Sequence, residues 1–309
     1  MNPNGATTAL SQGFLRVPDG GAGAAQPSPR RRWASPGALR SRWKSPFRIS
    51  LLWPRCMERH YTTGMSATSL IVFAVVVAAG SLFQGLLGFG AALVAAPLAL
   101  VFVEKAIAVP ALTVAGLALN AFLVMSIREP MRGRILVPLI WSSLIGVPAG
   151  LLILTRVPLS GLQIGAGLLS VTFAILISRS SVLPGSSLRL APLAGALSGA
   201  LSTSTSMGGP PVVLLLAHGR LPRDEYRRTL AGFFLYAGAV SMVFFAVGGV
   251  FSTSALVYGL VAVPGAVIGG LGGHRVSVMV PHEHFRAIAL GAVGLTGVVA
   301  VAAGLAALR

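Results

Sequence analysis

Apolar segments about as long as a lipid bilayer is thick recur along this chain from about residue 67 onward. They run for roughly 17 to 22 residues, which at about 1.5 Å rise per residue matches a hydrocarbon core of about 30 Å. Hydrophobic residues make up 54% of the chain and charged residues only 10%. The segments are rich in Ala, Leu, Val and Gly and do not alternate as strands do. The sequence therefore predicts an all-α integral membrane protein, a polytopic bundle of about eight to ten segments.

The basic residues are concentrated near the amino terminus. The formal net charge is +17, and ten of the 24 Lys and Arg lie within residues 1–64. This segment is rich in Pro, Ser, Gly and Arg, so we expect it to be disordered. Three interpretations stay open: a tail on anionic lipid, a targeting segment, or an untranslated extension ahead of a start at Met65. The lipid bilayer is the expected partner, and no nucleic-acid partner is expected.

Ten helical segments are predicted, and the second and seventh are too short to cross a bilayer alone. Each short segment follows a stretch rich in glycine or hydroxyl residues and carries proline near its start or within it. The predicted segments are 67–87, 91–103, 107–127, 135–154, 161–178, 189–206, 208–218, 229–249, 254–272 and 285–307.

The two short segments indicate an internal repeat. When the halves are shifted by 114 positions, Gly85 aligns with Gly199 and Pro97 with Pro211. A shift of 116 aligns Pro148 with Pro264. The domains predicted from this are a first transmembrane repeat at 65–178, a cytoplasmic linker at 179–188 and a second repeat at 189–309.

Loop charges indicate that the second repeat is inverted. Eleven Lys or Arg lie in four loops, and the rest of the chain after residue 64 holds three. By the positive-inside rule these four loops face the cytoplasm, and the bias falls on non-equivalent loops of the two halves. Inverted repeats are typical of secondary transporters. A miscount by one segment, which would return residue 65 to the cytoplasm, stays open. The four basic loops are 128–134, 179–189, 220–228 and 275–286.

The two interruptions predict a substrate site near the bilayer midplane, because irregular backbone at membrane depth must be buried in protein or line a wet cavity. Glycine permits unusual backbone angles there, and proline interrupts or starts a helix. The predicted residues of the first interruption are Gly85, Gly88, Phe89, Gly90 and Pro97. Those of the second are Gly208, Gly209, Pro210 and Pro211.

The donors around these interruptions favour a small anion. Helix N-termini offer N–H groups and a positive dipole end, while Gln84 and Asn120 add amide donors. No Lys or Arg lies in the interior of a predicted segment, so we expect neutral coordination. Packing is the alternative role, because hydroxyls often bond within their own helix and glycines allow close helix contact. The hydroxyl donors expected at the site are Ser202, Thr203, Ser204, Thr205 and Ser206.

Several chemistries find no support in the sequence. Carboxylates fall at segment ends or in loops, so proton coupling through the membrane is not expected. No serine in a segment has a His or Lys base, so no enzyme is predicted. We interpret His282, Glu283 and His284 as a loop triplet and expect no metal and no cofactor.

Two longer motifs resemble the two half-motifs of the sulfite exporter TauE/SafE family of permeases. They are "QGLLGFGAALVAAPLALVF" and "GALSGALSTSTSMGGPPVVLLLAHGRLPRDEYRRTLAGFFL", and the similarity runs from about Met65 to the C-terminus. The resemblance implies a polytopic inner-membrane permease for small anions such as sulfite or organosulfonates. This chain departs from the family pattern at 202–206 and at Ala91 and Ala92, where glycine is common.

The sequence thus predicts a permease that moves a small anion across the inner membrane through a midplane site between two broken helices. A carrier or channel for another small solute, or a non-transporting membrane partner protein, are the alternatives. Substrate, direction and oligomeric state are left open.

Overall fold

The computed structural model describes residues 66–178, 188–217, 221–279 and 282–308, and in this part of the chain it contains ten α-helices and no strand. The predicted all-α fold is confirmed. The N-terminal segment 1–64 and the linker up to residue 187 lie outside the described residues. The helices are α1 Ala67–Leu87, α2 Ala91–Phe102, α3 Lys105–Ser126, α4 Gly133–Arg156, α5 Leu159–Ser178, α6 Ala191–Thr205, α7 Gly209–Ala217, α8 Arg223–Val247, α9 Thr253–Met279 and α10 His282–Ala306.

Six of these helices are long and apolar enough to cross a membrane, judged by length and composition: α1, α3, α4, α5, α8 and α9. Large apolar side chains point outward from the bundle, among them Met125, Trp141 and Ile145, which are 83%, 68% and 76% exposed. Such a surface is unfavourable in water and favourable in lipid. The protein is therefore a multi-pass membrane protein.

Small residues bring the main helix pairs into close contact. Helix α1 packs along α9, α4 along α6, and α5 along α10. A side chain at Gly146 of α4 would meet the carbonyl oxygen of Ala196, and one at Gly199 of α6 would meet that of Ser143. Close backbone approach between small residues is a common way to associate helices in lipid, where apolar burial gives little driving force.

Candidate functional site

The first interruption separates α1 from α2 and depends on two glycines. Helix α1 ends at Gly88, which has a left-handed φ of 85°, and its N–H donates to the carbonyl oxygen of Gln84 at 2.8 Å. Gly90 precedes α2 with a φ of 107°. Residues with a Cβ rarely adopt these angles. The glycine pattern therefore ends one helix and lets the next begin within three residues.

The second interruption separates α6 from α7 and uses a serine where the first uses glycine. Ser206 has a φ of 61° and is the one non-glycine with positive φ in the described part of the chain. Its N–H donates to the carbonyl oxygen of Ser202 at 2.9 Å. Its Oγ donates to the carbonyl oxygen of Val109 at 2.9 Å and lies 3.1 Å from Oγ1 of Thr113. These side-chain bonds to α3 offset the cost of the left-handed backbone.

We expect Ser206→Ala to destabilise the protein more than Ser206→Gly. Both substitutions remove the bonds of Ser206 to α3, but only alanine keeps the penalty for a left-handed residue with a Cβ, about 1 kcal/mol. In thermal unfolding in detergent, the wild type and the glycine variant should both have a higher melting temperature than the alanine variant. Equal melting temperatures for the two variants would show that the backbone at this position is unstrained.

Structural landmarks of the two halves correspond at a spacing of 118 positions. The left-handed residues Gly88 and Ser206 are separated by this number, as are the first residues of α2 and α7 and those of α3 and α8. The register of 114, predicted from the matches of Gly85 with Gly199 and of Pro97 with Pro211, differs from this spacing by about one helical turn. The reason is that Gly85 and Gly199 are helix-packing positions: Gly85 lies against the backbone of Gly270, and Gly199 against Ser143.

A cavity of about 90 Å³ lies between the two interruptions. One water molecule needs about 10 to 15 Å³ by the same measure, so the space suits a small ion with a few waters and not a large organic molecule. Helices α1, α2, α3 and α8 and the second interruption form its walls. Side chains or backbone of Ser81, Gln84, Gly90, Ala91, Ala92, Thr113, Gly116, Asn120, Ser202, Met207, Phe234 and Gly238 are among the lining residues.

Helix α3 shows how far apart the two interruptions lie. Thr113 of α3 contacts Ser206 of the second interruption, whereas Oδ1 of Asn120 accepts a 2.9 Å hydrogen bond from Nε2 of Gln84 beside the first. The seven residues from Thr113 to Asn120 span about 10 Å of helix. The side chains of α3 that contact Ser206 and Gln84 therefore lie about two helical turns apart along the cavity wall.

The structure divides the sequence-predicted site residues into two groups. The residues that line the cavity are Gln84, Gly90, Asn120, Ser202, Ser206, Gly208 and Gly209. The residues that are not among its lining are Gly85, Gly88, Phe89, Pro97, Thr203, Ser204, Thr205, Pro210 and Pro211.

The five consecutive hydroxyls do not share one role. Ser202 and Ser206, four residues apart, lie on the cavity side. Thr203 lies 2.8 Å from Oγ of Ser241 on α8, and Thr205 donates to the carbonyl oxygen of Leu201 at 3.0 Å. For these threonines the packing interpretation of the sequence fits, because their hydroxyls bond to neighbouring helices or to the preceding turn.

The sequence analysis missed several lining residues that helical periodicity could have identified. Thr113 and Gly116 precede Asn120 by seven and four residues, which puts all three on one face of α3. Ser81 likewise precedes Gln84 by three residues on α1. Phe234 was missed as well, although Gly238 and Ser241, four and seven residues later, lie on the same face of α8.

The polar groups that line the cavity carry no charge. None of the described lining residues is ionisable, and among apolar neighbours such as Leu93 and Leu112 the polar groups are hydroxyls, the amides of Gln84 and Asn120, and first-turn N–H groups of α2. A helix N-terminus has N–H groups without intrahelical partners and a positive dipole end. Helix α7 offers fewer, because Pro210 and Pro211 in its first turn have no N–H.

Helix α8 contains arginines that the sequence analysis places in the loop 220–228. This helix begins at Arg223, earlier than the predicted 229, because acidic residues in its first turn favour helix continuation there. Arg227 is only 2% exposed. Its Nη2 donates to the carbonyl oxygen of Gly85 at 2.7 Å, and its Nη1 donates to Nδ1 of His274 at 2.6 Å. A buried guanidinium therefore contacts the first interruption.

Among the described residues, no group of three or more His, Cys, Asp or Glu is placed to hold a metal ion. The side chains of the triplet 282–284 lie outside the described residues.

Comparison with known proteins identifies one family. The family described as "Sulfite exporter TauE/SafE" matches residues 72–300, which covers both interruptions and the cavity between them. No curated protein and no solved structure matches the chain.

Proposed function

Because the chain belongs to the sulfite exporter TauE/SafE family, and is thus a membrane transporter and not an enzyme, we propose that it moves a small anion of the sulfite or sulfonate class across the inner membrane. The substrate passes through the cavity between the two interruptions. The observation that carries this proposal is the small cavity lined by neutral hydrogen-bond donors.

Neutral donors suit a transported anion. Hydroxyl, amide and backbone N–H groups replace part of the hydration shell of an anion, yet without a charged partner the ion remains able to leave. Ser202 of α6 supplies a hydroxyl, and Gln84 of α1 supplies the amide hydrogen that it does not donate to Asn120. The α2 N-terminus adds a positive dipole end at Ala91, as unwound segments do in secondary transporters.

The pairing of helices supports two inverted repeats around this cavity. If α6 to α10 repeat α1 to α5, the pairs α1 with α9 and α4 with α6 are equivalent, and α3 with α8 and α5 with α10 are each self-equivalent. A two-fold axis produces this pattern. The spacing of 118 positions between landmarks and the alternating basic loops agree with it. We propose that the axis runs through the cavity near the bilayer midplane.

Purified protein in proteoliposomes tests the transport proposal. We expect saturable flux of sulfite or a small sulfonate, and no flux of a neutral solute of similar size. The panel should contain sulfite, thiosulfate, a sulfonate, a carboxylate, urea and a small monovalent cation. Flux of urea or of a cation in preference to every anion would overturn the proposed substrate class.

We expect Gly209→Val to block this flux while the protein still inserts and folds. A Cβ at Gly209 would have Phe234 as its nearest neighbour at 3.6 Å, so added methyl groups enter the cavity without a backbone clash. Gly88→Val is a less clean probe, because Gly88 has a positive φ and lies against Arg227. Undiminished flux through the Gly209 variant would place the path elsewhere.

A further inference from the structure

Arg227 carries a buried positive charge that no carboxylate of the described residues approaches closer than 4.0 Å. Its side chain is 3% exposed, and the acid at 4.0 Å, Asp224, is 55% exposed. Its Nε is buried and has no hydrogen-bond partner in the described part of the chain. Burying a cation in this way is costly unless the structure uses the charge or fully satisfies its donors.

The guanidinium is held by neutral acceptors. A guanidinium has donors only, so Nδ1 of His274 must accept from Arg227, which requires a neutral imidazole at this position. The second acceptor is the carbonyl oxygen of Gly85, in the last turn of α1. Carbonyl groups at a helix C-terminus have no intrahelical partners and form the negative end of the helix dipole. The charge is therefore fixed in place without being neutralised.

Arg227 also supports the turn that directs Gln84 into the cavity. Its stem packs against Gly88, where a Cβ would lie 2.8 Å from Cγ of Arg227. The carbonyl oxygen of Gln84 accepts the N–H of this same Gly88. Gln84 in turn lines the cavity and pairs with Asn120. The arginine thus acts on the cavity through α1, although it is not among the lining residues.

The second interruption is bonded to the position of α3 that is equivalent to Arg227 of α8, but through a different chemical group. Val109 of α3 lies 118 positions before Arg227, and its carbonyl oxygen accepts the Ser206 hydroxyl. Each interruption therefore forms a hydrogen bond with the first turns of α3 or α8. In α3 the bonding group is the neutral backbone carbonyl of Val109, and in α8 it is the cationic side chain of Arg227. The two ends of the cavity differ by one positive charge.

We propose that Arg227, held against the α1 turn, is the positioning residue whose charge sets anion affinity at the first interruption. This inference rests on the proposed anion transport. In a low-dielectric site a charge attracts an anion without contact. The neutral donors of the cavity orient the ion, while Arg227 raises its local concentration at that end.

Three variants separate charge from support of the fold. Arg227→Gln removes the charge, Arg227→Lys keeps it, and Arg228→Gln makes the same charge change one residue away, where the side chain donates to the backbone of the α3–α4 loop. Sulfite flux in proteoliposomes should give a KM raised about tenfold for Arg227→Gln, or about 1.4 kcal/mol. The lysine variant and the Arg228 variant should stay within about threefold of wild type, and maximal flux should change little.

Other outcomes contradict the inference. Equal KM values for wild type and Arg227→Gln, or equal rises for the glutamine and lysine variants, would assign Arg227 to structure alone. Failure of wild type to move any anion would instead overturn the proposed function. Should Arg227→Gln not fold, Asp224→Asn tests the same charge, because it removes the nearby acid at an exposed position. It should lower KM about twofold, and an unchanged or raised KM would overturn the inference.

Discussion

We expect Gly116→Val to reduce anion flux at least about tenfold, equivalent to about 1.4 kcal/mol of added barrier, without lowering the amount of folded protein. Gly116 lies in the middle of α3, lines the cavity, and has no atom within 4 Å of the place where a Cβ would stand. The Cβ of a valine would therefore stand in open space. The side chain fills part of the about 90 Å³ through which the substrate is proposed to pass.

Gly165→Val is the matched control for this experiment. Gly165 also lies within a long helix, α5, and likewise has no atom within 4 Å of the place where a Cβ would stand, but it is exposed on the outer surface. Both substitutions cost the same in helix propensity, so any difference reports on the cavity. We expect flux to be lower in Gly116→Val than in Gly165→Val, while the two variants have the same melting temperature. Equal flux in both variants would argue against passage beside α3.

The fold was predictable from hydropathy because lipid imposes helices on apolar segments of this length. The predicted bounds of the first segment agree with α1, and the short second and seventh segments agree with α2 and α7. The start of α8 was not predictable in this way. Hydropathy places a boundary at the first charged residue, whereas the helix continues through Arg227, whose charge is satisfied by contacts with distant parts of the chain.

The site was only partly predictable because the identity of a residue does not show which way its side chain points from the helix. The five consecutive hydroxyls looked equivalent in sequence, but a helix turns each by about 100°, so Ser202 and Ser206 reach the cavity while Thr203 reaches α8. Helical periodicity could have shown which of these hydroxyls share a face of α6. Which face meets the cavity depends on the packing of α6 against α4 and α8, and that information lies in residues far apart in sequence.

We expect Gly208→Ala to lower stability and flux together, whereas Gly209→Ala should change both only slightly. A Cβ at Gly208 would collide with Oγ of Ser202 and with the backbone carbonyl of Ser198, a group that cannot rotate away. Ser198 also bonds the carbonyl oxygen of Gly208, so the interruption has little room to move. Overpacking of this kind lowers the free energy of unfolding by about 1 to 3 kcal/mol. Each kcal/mol lost lowers the melting temperature by about 2 to 4 °C.

The adjacent position makes this prediction specific to local geometry. Gly209 begins α7 with an ordinary backbone angle, and a methyl group there would meet only Phe234 at 3.6 Å. Thermal unfolding in detergent and flux in proteoliposomes measure the two effects separately. Equal melting temperatures for the two alanine variants would show that the second interruption relaxes around Gly208. In that case the tight contact among Ser198, Ser202 and Gly208 would not be what holds α6 and α7 apart at the cavity.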